Sequence, residues 1–137
     1  MPDSAALETA ILAVLQGDAT LAAIVTDGIY FDVSASGKTK FGIVSLSTHH
    51  DERTFDGVIE QAVYIVKAVI LNTSPSTART AAARMHTLLE GVQLSVTGFD
   101  HLALRRTERI RYTEVDPENN DIRWQHQGGR YLAWVSA

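Results

Sequence analysis

His49, His50, Asp51 and Glu52 stand together in one run and carry side chains that bind metal ions or move protons. They run directly into the β-forming segment VIEQAVYIVKAVIL. Neighbouring residues on an extended chain point to opposite faces, so few of these four converge on one ion. A zinc site also needs a closing pair at helical or turn spacing, and no histidine pair three to five residues apart is present. The expectation is therefore a solvated or partner-facing turn that holds no metal.

The other histidines ask for no chemistry either. His86 precedes Glu90 by four residues on the polar side of a predicted helix, a surface pair worth about 0.2–0.5 kcal/mol. His101 and His126 lie on or near predicted strands, with no serine, cysteine or carboxylate in a recognisable motif around them. The chain has no nucleophile elbow, phosphate loop, GxGxxG or acid–acid–lysine set. No catalytic residue and no cofactor is expected.

The segment ALRRTERIRY offers charge instead. Strand alternation places Arg105, Arg109 and Arg111 on one face and Arg106 on the other. Such a strand is either a charged solvent-facing surface that discourages edge pairing or a docking surface for carboxylates. Two predicted turns are acidic: Asp51, Glu52 and Asp56 in the first, Glu114, Asp116, Glu118 and Asp121 in the second. Basic strand and acidic turns are complementary if copies pack head to tail, a contact that closes into a ring when its rotation permits. Charges of that kind steer and register a contact more than they add affinity. Ile110, Tyr112 and Trp124, near the end of the second hairpin, are either its apolar anchors or a cross-strand cluster shielding their own hairpin.

These residues need a scaffold, and hydrophobic spacing supplies one. Leu7, Ile11 and Val14 predict a helix over 4–15. Gly17 ends it, and Asp18 caps a second helix over 19–25. IYFDV is a short strand and SASGKTK a loop. Phe41–Thr48 and Val58–Leu71 pair as a long hairpin whose polar end, with Glu60 and Gln61, runs beyond the core. Val58–Leu71 is apolar on both faces, so it is expected to be central and covered on both sides; Ile65→Asp and Val66→Asp should then be equally disruptive. Ser74 caps and Pro75 begins a helix that ends at Gly91, with Ala78, Ala82, Met85 and Leu89 forming a stripe against the sheet. VQLSV, 102–115 and 122–135 are the remaining strands, with a bulge or bend at Gly128–Gly129. The expected fold class is one α+β domain over 1–137, a mostly antiparallel or mixed sheet with packed helices and long projecting hairpins.

Composition narrows the partner class. The chain has 137 residues, 45% hydrophobic and 20% charged, which suits a globular domain. A net charge of −4 argues against nucleic acid as a bulk partner. The absence of cysteine excludes a disulfide framework and thiolate zinc, and fits a reducing compartment. No apolar run reaches the length of a membrane span, and MPDSAALETAIL has no basic stretch ahead of its apolar residues, so neither a membrane nor a secretory signal is expected. Protein surface remains.

The layout GDATLAAIV, DGIYFDV, TFDG running into a long strand, then ARTAAARMHTLLEG, VQLSVTG and a terminal strand pair resembles the tail-terminator, or tail-completion, proteins of long-tailed phages and phage-like particles. The likeness spans nearly the whole chain and rests on turn glycines and hydrophobic spacing. It implies a structural virion protein: a hexameric ring that caps the finished tail tube, stops tube polymerisation and offers a surface to the head connector or stopper. DNA would pass through the lumen unread. The implied location is the head-proximal end of the tail, reached through assembly in the host cytoplasm. The arm tip Asp51, Glu52, Arg53, Phe55 and Asp56 would meet a neighbour or the tube, together with Arg105, Arg109, Arg111, Tyr112, Asp116, Glu118 and Trp124. The alternatives are another head–tail joining protein or, from a different class, a small metal-dependent hydrolase on His49, His50 and Asp51.

Overall fold

Leu7, Ile11 and Leu15 recur every four residues and are fully buried, which makes Ser4–Gln16 an amphipathic helix, α1. The computed structural model describes residues 4–54, 57–94, 96 and 100–136; for residues 4, 50–54, 57, 58, 101–103 and 136 it describes the backbone alone. After Gly17, Asp18 caps α2 (Ala19–Ile24), its carboxylate accepting from the Leu21 N–H at 2.8 Å. The same carboxylate receives Arg84 Nε at 2.8 Å and Nη2 at 2.7 Å, tying α2 to α3 (Ser76–Leu89). Pro75, not Ser74, occupies the cap position of α3; the Ser74 hydroxyl accepts from the Ser76 N–H at 3.3 Å.

Among the described residues five strands form one sheet in the order β1-β2-β3-β5-β4: β1 Ile29–Phe31, β2 Lys40–Thr54, β3 Gly57–Leu71, β4 Asp100–Val115 and β5 Arg123–Ser136. β1 runs parallel to β2, and the other pairs are antiparallel. With three helices packed on it, this is a mixed-sheet α+β fold, as expected. β3 is central.

Four expectations change. β2 is longer than Phe41–Thr48: His49–Thr54 pair with 57–62 down to Thr54↔Gly57, so the histidine-rich run is strand, because ladder pairing with β3 overrides its polar composition. Glu60, expected beyond the core, is buried, since β5 still flanks β3 as far as Ile59↔Ser136. VQLSV forms no strand among its described residues; Leu94 and Val96 alternate because they plug the core, not because they pair. Pairing through Gly128–Gly129 is continuous with both neighbours, and the irregularity lies across from it, in β4 between Arg106 and Glu108.

The two faces of the sheet are unequal. One carries the main core: Val44, Ala62, Tyr64, Val66, Ala68, Ile70, Leu104, Tyr131, Ala133 and Val135 pack under α1, α2 and α3. Gly42 lets Met85 close down, because a Cβ there would stand 2.9 Å from Met85 Cε. The helix stripe reads Ala78, Ala81, Met85 and Leu89, with Ala82 shifted toward its edge. The opposite face buries a smaller apolar group, Phe41, Ile43 and Val69, with Tyr30 and Trp124 against them. β3, at 15 residues, spans about 50 Å, whereas the 14-residue α3 spans about 21 Å, so the strands outrun their helical cover.

Candidate subunit interface

The extra residue in β4, Thr107, changes which arginines share a face. Arg106 pairs with Tyr131, Arg109 with Gly129 and Arg111 with Gln127, all on the helix side; Arg105 pairs with Leu132 on the other. The expected grouping of Arg105 with Arg109 and Arg111 is therefore corrected, since a bulge reverses alternation for every residue beyond it. Arg106, Arg109 and Arg111 line a cleft between β4 and α3, closed on the α3 side by Arg79 and His86.

That cleft is unbalanced in charge. Glu90 sits at its rim, accepting from the Arg106 backbone N–H at 2.8 Å and lying 3.9 Å from His86 Nδ1. Glu108 turns to the other face, 3.4 Å from Arg130. Among the described residues no carboxylate pairs with Arg79, Arg109 or Arg111. His86 Nδ1 lies 3.1 Å from Tyr131 Oη, and burial first, then Arg106, holds its pKa below the ordinary 6.5. Burial pushes the Tyr131 hydroxyl up to about 12. At neutral pH the cleft carries the positive charge of its arginines.

The face away from the helices holds a cross-strand cluster that sequence reading missed. Tyr112 stacks on His126 with centroids 4.3 Å apart and planes 11° apart. Lys67 Nζ donates to Tyr112 Oη at 2.8 Å, and Glu114 lies 3.1 Å from His126 Nε2. Register alone brings these together, through Tyr112↔His126 and Lys67↔Gly128, with 45 residues separating Lys67 from Tyr112. Trp124 packs on Phe41 at 6.3 Å. Tyr112 and Trp124 thus make cross-strand contacts, and Tyr112 remains 46% exposed. Beyond the cluster, Val63, Ile65, Leu132 and Trp134 form a half-buried apolar stripe on the face opposite α1, α2 and α3.

Burial also lowers the His126 pKa, with the Glu114 hydrogen bond opposing it. The sign for both histidines is the same: below pH 6.5 the unfolded chain binds protons that the folded chain refuses, so stability falls with pH. Asp18, held at about 2 by Arg84 and the Leu21 N–H, adds a second loss as pH drops from about 4 toward 2. Thermal melts in buffers from pH 7 to 3 should show the melting temperature falling in these two stages; a flat profile between pH 7 and 5 contradicts the histidine part.

The remaining expected residues separate. Asp51, Glu52 and Arg53 are in β2, opposite Glu60, Ile59 and Val58; Phe55 and Asp56 lie outside the described residues. Asp116 Oδ1 accepts from the Glu118 N–H at 2.8 Å, ordering the second turn, where Glu118 is exposed. His49 pairs with the buried Glu60 at 3.6 Å. Among the described residues no three potential metal ligands gather.

No family model matches the chain, and no curated protein matches it. A solved structure does. A chain in the virion of a native gene transfer agent (GTA) particle is similar at a TM-score of 0.75 and 22% identity, over 96% of this chain and 95% of that one. The fold is shared. A second solved structure is similar at 0.60 and 14% identity, over 100% of this chain and 97% of that one. Both likenesses run from end to end of the chain.

Proposed function

We propose that this chain is a structural protein of a phage-type particle, a tail terminator whose copies close into a ring on the end of the tail tube. The observation that carries the reading is the end-to-end likeness in fold to a chain of the gene transfer agent virion. The tail-terminator resemblance of the sequence points to the same class of particle.

The structure supports an assembly role in its own terms. A sheet whose helices cover one face leaves Val63, Ile65, Leu132 and Trp134 only half-buried on the other, and contiguous apolar surface of that sort marks contact with another protein. An arginine cleft and an acidic turn on one hairpin suit a head-to-tail contact, which generates rings. The ring stops tube growth by covering the last layer of tube protein, and its far side receives the head connector. The chemistry is recognition, and no bond is made or broken.

The test is a polymerisation assay. Added to growing tail tubes, the protein should shorten them and remain bound at one end, visible by negative-stain electron microscopy. It should be retained by immobilised tube protein. Tubes of unchanged length with bare ends, and retention by connector protein only, would move the chain to another joint of the particle.

A further inference from the structure

Resting on the ring reading, we infer that the acidic turn 116–121 of one copy docks into the arginine cleft between α3 and β4 of the next. The turn is built to be presented. Its backbone is fixed by Asp116 N–H to Ile122 O at 3.0 Å, Glu118 N–H to Asp116 Oδ1 at 2.8 Å and Asp121 N–H to Asn119 Oδ1 at 3.0 Å. That leaves the carboxylates of Glu118 and Asp121 exposed and, among the described residues, unpaired. The cleft offers Arg79, Arg109 and Arg111 in the same condition. Arginine guanidinium and carboxylate form the strongest of the charge-assisted pairs, and in a recess they lose less to solvent.

The two halves cannot meet within one molecule. Arg111↔Gln127 through Val115↔Arg123 are paired without interruption, so the hairpin is held extended. Asp116 is five residues beyond Arg111, about 16 Å along the strand, and Glu118 and Asp121 lie further out. A second copy supplies the turn, and because cleft and turn differ, the contact is head to tail. A nucleic acid in the cleft is disfavoured by the carboxylates on the same hairpin and by the net charge of −4.

Charge exchange tests this. Arg109→Glu with Arg111→Glu makes one variant, and Glu118→Arg with Asp121→Arg the other. All four side chains are exposed, so circular dichroism should match the parent. Each variant alone should self-associate at least about a hundredfold more weakly, since like charges then oppose each other. An equimolar mixture should recover parental association, each cleft now meeting an opposite turn, with alternating composition by native mass spectrometry. Parental association by either variant alone, or no recovery on mixing, overturns the docking while leaving the ring reading intact. A parent that stays monomeric at high concentration overturns both. Binding of a short DNA duplex by the parent, lost in the arginine variant with self-association unchanged, assigns the cleft to phosphate instead.

Discussion

Val66→Asp should abolish the cooperative unfolding transition, while Ile65→Asp, one residue away, should leave the monomer folded and prevent its assembly. Val66 is 1% exposed, under the helices and among Tyr64, Ala68 and Tyr131. A carboxylate there has no partner, and an unpaired buried charge costs several kcal/mol against a total stability of about 5–15 kcal/mol. Ile65 points to the other face, opposite Ser45 and Arg130, and is half-buried. A carboxylate there reaches water in the monomer and is stranded only when a neighbour covers the stripe. Thermal unfolding and sedimentation velocity on both variants decide the matter. Equal unfolding of the two would mean that the second face is covered within the chain.

Gly128→Ala should lower stability by about 3 kcal/mol or more, a large effect for one methyl group. A Cβ at Gly128 would stand 2.0 Å from Val66 O and 2.5 Å from Lys67 Cα. These are backbone atoms, so no rotamer change relieves the clash. β5 would have to move away from β3 along the ladder that holds the centre of the sheet. At Gly129 the contacts are looser, 2.8 Å to Arg106 Cδ and 2.9 Å to Glu108 O, and one of them is a flexible side chain. Gly129→Ala should therefore cost less. Denaturant melts with a shared slope give both values; a Gly128→Ala midpoint at parental denaturant would show that the strands have room.

Much of the fold is legible in the sequence. The four-residue spacing of Leu7 and Ile11, the Asp18 cap and the central place of β3 each carry from the sequence into the tertiary structure. What is not legible is non-local. Thr107 sits in a strand pattern like any other residue, yet the extra place it takes in β4 moves Arg109 and Arg111 to the face of Arg106 and so creates the cleft. His49–Thr54 read as a polar turn because composition says nothing about the partner strand that orders them. The alternation of Leu94 and Val96 reports burial, which strands and extended connections share. The cover expected on both faces of β3 is found on one: the helices pack on the face of Val66, and Val63 and Ile65 on the other stay half-buried.

Native mass spectrometry of the purified chain across a concentration series reads ring closure itself. One closed species of fixed stoichiometry, the expected hexamer, should form and gain no further copies as concentration rises. A monomer at every concentration, or an open ladder of oligomers without a preferred size, would contradict it.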